Sequence, residues 1–158
     1  MKTIILPGYS LHNKDWAEEM AGTVHYWRHW KTGGSFSLRY ELEKILTEIG
    51  KNKVNIIAKS VGTGVLMHLL PKIKNQVEKI ILCGIPTVSD ENKRLFTTSL
   101  SAFPVENVVC FQNTKDPFAT FKEVDKFMRE VNKKIRVIEK PRSDHNYPYF
   151  EDFEKFLR

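Results

Sequence analysis

Short β-type runs alternate with helical patterns from one end of the chain to the other, and this alternation restricts the fold more than any other feature. The strand candidates are Lys2 to Leu6, Thr23 to Trp27, Lys53 to Ala58, Val77 to Cys83, Asn107 to Gln112 and Lys134 to Glu139. Between them the apolar spacing changes to that of a helix. Leu38, Leu42, Ile45, Leu46 and Ile49 form one stripe, closed by Gly50 as a stop, and Phe118, Phe121, Val124, Phe127, Met128 and Val131 form another. A short helix is expected around Asn92 to Ala102, and Phe150, Phe153, Phe156 and Leu157 mark a terminal one. Each parallel crossover needs a covering segment, usually a helix. The pattern therefore predicts a single α/β domain over residues 1–158, with a doubly wound, mostly parallel, six-stranded sheet. The last strand alternates charged and apolar residues, as an edge does.

Composition narrows the function classes. A chain of 158 residues supports one well-buried core and is too short for two ordinary domains. With 41% hydrophobic and 28% charged residues it has the balance of a globular protein, not of a disordered tail. No apolar run approaches the ~20 residues that span a bilayer, and the stretch from Met1 to Gly8 is too short for a signal peptide. Cytoplasmic residence without a membrane partner is the expectation. Cys83 and Cys110 lie in strand-like runs and read as buried thiols. The net charge of +6 is spread along the chain with no dense basic block, so no nucleic acid is expected. A basic surface can still steer anionic substrates or an acidic protein partner. Oligomeric state is not legible.

The stretch Ile56-Ile57-Ala58-Lys59-Ser60-Val61-Gly62-Thr63-Gly64 ends an apolar β-run in small-x-Ser-x-Gly and opens into a helical pattern. A sharp strand-to-helix turn needs small residues two places either side of the serine, and Ala58 and Gly62 fill them. Such a turn lifts a serine hydroxyl above the sheet edge as a nucleophile. The plainer reading is that Ser60 caps the following helix.

In open parallel sheets ligands bind beyond the carboxyl ends of the strands. The loops there contain Pro7-Gly8-Tyr9-Ser10, Lys59-Ser60-Val61, Ile85-Pro86-Thr87 with Asp90, Asn113-Thr114-Lys115-Asp116-Pro117 and Ser143-Asp144-His145-Asn146. A serine hydroxyl becomes a useful nucleophile when an imidazole takes its proton and a carboxylate fixes that imidazole's tautomer. Ser60, His145 and Asp116 supply these parts, with Asp90 as a reserve acid. Asp116-Pro117 also reads as a helix N-cap with proline at the first helical position, and His145 as a solvated loop residue. His12, His25, His29 and His68 show no metal-ligand pattern, and neither a metal nor a cofactor is expected.

The order Ser60, Asp116, His145 is that of one fold, and the sequence resembles the α/β-hydrolase superfamily from Pro7-Gly8-Tyr9 through Ala58-Lys59-Ser60-Val61-Gly62 and Asp116-Pro117 to Asp144-His145. Within it the chain looks most like the small, lidless serine hydrolases of the retinoblastoma-binding type. The resemblance implies a minimal α/β-hydrolase fold, Ser60 as nucleophile, His145 as general base and acid, and Asp116 as the orienting carboxylate. It also implies an oxyanion hole from the backbone N–H groups of Tyr9 and Val61, and a small-molecule acyl substrate. Two departures stand: Ala58 replaces the more usual first glycine, and Pro7-Gly8 stands where His-Gly is common.

The aromatic cluster Tyr26-Trp27-Arg28-His29-Trp30 has two readings, core packing or, through Trp27 and Trp30, a substrate pocket. Lys59 reads as an exposed elbow residue. The leading functional expectation is a serine hydrolase cleaving a carboxylic ester or related acyl bond through an acyl-enzyme. A catalytically silent binding protein on the same fold is the alternative. A nucleotide-binding protein of flavodoxin or Rossmann type comes third, since the first loop lacks G-x-G-x-x-G.

Overall fold

Strand Val54–Lys59 (β3) is buried along its whole length, as its continuous apolar run requires of a strand covered on both faces. It pairs in parallel with Lys2–Leu6 (β1) on one side and Val77–Cys83 (β4) on the other. In a computed structural model describing residues 1–158, the remaining strands are Thr23–Val24 (β2), Val108–Asn113 (β5) and Arg136–Lys140 (β6). All six are parallel, in the order β2-β1-β3-β4-β5-β6. The order reverses between β1 and β3, which places the ligand crevice of such a sheet beyond the ends of those two strands. The sheet is that expected, parallel throughout, with the charged strand β6 at its edge.

The helices are Asn13–Glu18 (α1), His29–Thr32 (α2), Leu38–Ile49 (α3), Val61–Ile73 (α4), Asp90–Leu100 (α5), Phe121–Asn132 (α6) and Phe150–Leu157 (α7). Residues of α3 to α6 build the larger core on one sheet face, around Ile45, Leu66, Phe96 and Phe127. Trp16 of α1 and Phe153 of α7 cover the other face, with Tyr147 between them. Cys83 and Cys110 are free buried thiols on opposite faces, and burial raises the Cys83 thiol to about 12. No helix is long and apolar enough to cross a membrane.

Two boundaries differ from expectation by three residues, and the others agree within two. The second strand ends at Val24, not Trp27. His25 still donates its N–H to Ile5 O, but its wholly buried ring is bracketed by Glu41 Oε2 at 2.6 Å and Glu48 Oε2 at 2.9 Å, both from α3. The chain then turns into α2. Helix α6 starts at Phe121, not Phe118, because Thr120 and Glu123 form a reciprocal capping box that fixes its first turn.

Gly62 is held to glycine by contact. A Cβ at this position would lie 2.3 Å from the Leu6 carbonyl oxygen, so the start of α4 presses directly on the end of β1. Backbone cannot yield as a flexible side chain can. Gly62→Ala is expected to destabilise the fold by about 2 kcal/mol, or roughly 4–8 °C in Tm. Gly64→Ala, two residues on in the same helix with nothing within 4 Å of its Cβ, is the control and should match or exceed wild type. Equal melting temperatures for the two variants would contradict the contact argument.

Candidate active site

Ser60 joins β3 to α4 at φ 54 and ψ −119, and it is the one non-glycine residue with positive φ. Such a conformation costs of order 1–3 kcal/mol and persists only where the surroundings enforce it. Here they do: Gly62 abuts Leu6, and Ser60 N–H donates to Cys83 O at 3.0 Å. The side chain makes no capping bond to α4, so the plainer reading of Ser60 as a helix cap fails. The elbow is built around a serine whose hydroxyl has no structural duty.

Asp116 follows β5 and is 2% exposed. It caps no helix, since α6 begins five residues later behind Thr120. Its Oδ1 accepts the Phe118 N–H at 2.9 Å, and its Oδ2 accepts both the Tyr147 hydroxyl and His145 Nδ1–H at 2.6 Å. Burial alone would raise its pKa, but these three donors together outweigh burial and hold the carboxyl below its ordinary range. An ionised acceptor at Nδ1 fixes the His145 tautomer, leaving Nε2 as the basic nitrogen. That Nε2 is buried and has no hydrogen-bond partner in the chain.

His145 and Ser60 meet the same short segment at the end of β4. Cys83 receives the Ser60 N–H, and the next residue, Gly84, lies so close under the ring that a Cβ there would be 3.0 Å from His145 Cε1. Gly84 also has positive φ, so only glycine meets both demands. Ser60 Oγ and His145 Nε2 are not hydrogen-bonded to one another. Asp144 pairs with Arg142 at 2.7 Å and accepts the Asn146 N–H, which tightens the loop that carries His145. The Arg142 hydrogen bond holds the Asp144 carboxyl down to about 2. Asp90, the reserve acid, is exposed on α5 and paired with Lys93 at 3.4 Å.

A cleft of about 520 Å³ opens beside Ser60 and Val61, between α4 and α5. Thr63, His68, Thr87, Ser89, Glu91 and Asn92 supply its polar wall, with Leu95 and Pro86 as apolar patches. Neither Trp27 nor Trp30 lines it. Trp27 is wholly buried and belongs to the core, packed edge-on to His25 and Phe36. Its assignment to a substrate pocket is corrected; Trp30 is only partly buried against the same core, and its ring nitrogen donates to Tyr9 O. Lys59 is also not exposed. At 1% exposure its ammonium reaches Asn13 Oδ1 at 2.6 Å.

Val61 opens α4, where the first N–H groups of a helix have no intrahelical carbonyl. Tyr9 follows β1, and its N–H donates to no backbone carbonyl of the chain. Sequence reasoning missed Tyr147, which shares Asp116 with His145, and Asn113, whose Nδ2 holds the carbonyls of Asp144 and Asn146 at 2.9 and 2.8 Å. Tyr147 lies two residues beyond His145, the spacing that puts two side chains of an extended segment on one side. It missed Phe118 too: this side chain is 64% exposed and stands against the His145 ring, with centroids 4.5 Å apart.

No family model and no curated protein sequence matches the chain. Solved structures do. A YdeN-like protein from Pectobacterium atrosepticum superimposes with a TM-score of 0.65 at 13% identity, over 98% of this chain and 87% of that one. A serine hydrolase without a lid from Xanthomonas campestris gives 0.62 at 16%, over 99% and 77%. A bromoperoxidase from Bacillus anthracis gives 0.63 at 13%, over 99% and 91%. The fold is that of the α/β hydrolases, in a small single-domain form.

Proposed function

We propose that this protein is a serine hydrolase that cleaves a carboxylic ester through an acyl-enzyme on Ser60. The observation that carries the reading is the His145 ring. Its Nδ1 is committed to a buried, ionised aspartate, and its Nε2 is left without a partner on the sheet edge that carries the strained serine.

In the first half-reaction Ser60 Oγ attacks the ester carbonyl carbon as its proton passes to His145 Nε2. The carbonyl π-electrons move onto oxygen, where the Val61 and Tyr9 N–H groups receive the negative charge. Collapse of the tetrahedral intermediate breaks the bond to the alcohol oxygen, which takes the proton back from the imidazolium. Water then repeats the sequence on the acyl-enzyme, releasing the acid and restoring Ser60. Asp116 stays ionised throughout and stabilises the imidazolium.

The cleft beside Ser60 supports a short acyl group as substrate. Its walls mix hydroxyl, amide and carboxylate groups with the apolar surfaces of Val61, Pro86 and Leu95, and a long alkyl chain would leave some of those polar groups without water or a partner. Phe118, exposed over His145, offers an apolar face to the departing alcohol.

A fluorophosphonate probe tests the reading directly. It should label the native protein, with the adduct mapped to the peptide containing Ser60, and heat-denatured protein should not react. In a series of p-nitrophenyl esters, kcat/KM should fall from acetate to octanoate. An unlabelled native protein, together with inactivity across the series, would instead favour a silent binding protein on this fold.

A further inference from the structure

The aromatic cluster that does not line the cleft has another use. Trp27 Nε1 donates to Pro7 O at 3.2 Å and to Gly8 O at 3.0 Å, while His29 Nε2 and Trp30 Nε1 donate to Tyr9 O at 2.7 and 2.8 Å. Three consecutive carbonyls of the loop after β1 are thus held by ring N–H groups from one four-residue segment, Trp27 to Trp30. No peptide bond is cis, and in a planar trans peptide the carbonyl and the N–H point in opposite directions. Fixing Gly8 O against the Trp27 indole therefore aims Tyr9 N–H away from that indole.

A second anchor reaches the same loop from β3. The Lys59 side chain lies on the sheet face covered by α1, away from the cleft. Its ammonium donates to Asn13 Oδ1 at 2.6 Å and stands 5.2 Å from the centre of the Trp16 ring. Asn13, itself 4% exposed, passes the contact on through Nδ2 to Ser10 O at 2.9 Å and Ser10 Oγ at 3.0 Å. Its amide also packs on Gly8 so tightly that a Cβ there would lie 2.7 Å from Oδ1. Burying an ammonium is costly, and desolvation pushes its pKa below the ordinary lysine range against the opposing fields of Asp116 and Asp144. A methionine would fill the same space without that cost. What the charge adds is a fixed orientation for the Asn13 amide, and through it a fixed position for Gly8 and Ser10.

We infer that Lys59 and Trp27 are positioning residues, two independent anchors that lock the Gly8–Tyr9 peptide as a preformed anion-binding donor beside Ser60. The inference rests on the serine hydrolase reading. A donor fixed before the reaction needs no reorganisation when charge develops, and a misplacement of about 1 Å costs up to ~100-fold.

Lys59→Met, Asn13→Leu, the two combined, and Trp27→Phe are compared with wild type. The readouts are kcat and KM on a p-nitrophenyl ester, Ki for a trifluoromethyl ketone of the same acyl chain, and Tm. Each single variant should lower kcat roughly 10- to 100-fold with KM changed less than about 2-fold. Ki for the ketone, whose adduct carries the oxyanion, should rise by the factor that kcat/KM falls. The combined variant should be no worse than the more impaired single, because both act along one path. Asn13→Asp keeps an acceptor for Lys59 but gives up the donation to Ser10, and it replaces any variant that fails to fold. Folded variants with wild-type kcat, or a loss of kcat without the matching rise in Ki, would overturn the inference. A wild-type protein that neither hydrolyses the ester nor takes the fluorophosphonate probe removes the hydrolase reading and the anchors with it. Labelled wild type with undiminished variants removes the anchors alone.

Discussion

Ser60→Ala is expected to abolish turnover, by roughly 10⁶-fold in kcat for a serine nucleophile, while leaving Tm within about 2 °C of wild type. The two halves of this result come from the same geometry. The Ser60 hydroxyl caps nothing and pairs with nothing in the resting protein, so its removal costs no structural bond. Alanine also suffers the φ of 54 as serine does, so the strain is unchanged. Ser60→Gly separates strain from chemistry: it too is inactive, but glycine accepts this conformation without a Cβ clash. It should melt higher than Ser60→Ala by a few degrees, the equivalent of about 1 kcal/mol. Calorimetry and an ester assay on the three proteins check both halves. Substantial turnover in Ser60→Ala would mean that the serine is not the nucleophile, and a Gly variant less stable than the Ala variant would mean that it is not held under strain.

How much of this was legible in the sequence depended on how local each cause is. The β3 run, the Gly50 stop and the elbow spacing are local, and the structure carries all three. The second strand is expected to reach Trp27 because Tyr26 and Trp27 are strand-forming residues by type. What ends the strand is His25 gripped by Glu41 and Glu48, 16 and 23 positions away. Phe118 fits the phase of the α6 stripe, yet the capping box at Thr120 starts the helix three residues later and frees that ring to meet His145. Lys59 at a strand end reads as solvent-facing, and its burial is made tolerable by Asn13, 46 positions earlier, together with the Trp16 ring. The expected site residues Ser60, Asp116 and His145 arrive on one sheet edge because strand ends in a parallel sheet all point one way. What the sequence did not carry is the layer behind them: Tyr147 on Asp116, Asn113 under the His145 loop, and Trp27 behind Tyr9. These contacts are fixed by tertiary packing, and their residue types are equally at home in any core.

Asp116→Asn is expected to lower kcat by about 10⁴-fold, the scale found when a triad aspartate loses its charge but keeps its shape. The hydrogen-bond pattern explains why shape is not enough. Oδ1 faces the Phe118 N–H and must remain an oxygen, so the new amide nitrogen is forced to the Oδ2 position, opposite His145 Nδ1 and the Tyr147 hydroxyl. There it donates to the ring, and His145 answers by moving its proton to Nε2. The nitrogen that should accept the Ser60 proton then already carries one. In wild type the three donors hold the Asp116 carboxyl below its ordinary range. The stability sign follows from the same depression. A folded pKa below the unfolded value of about 3.9 gives a contribution that is complete above that pH and is lost as pH falls through the lower folded value. The Asn variant should lack this acid-dependent component, so its Tm should vary less than that of wild type between pH 5 and pH 3, a window chosen around the ordinary aspartate value of ~3.9. A variant with kcat within 10-fold of wild type would show that the tautomer is set by some other group and that Asp116 orients nothing.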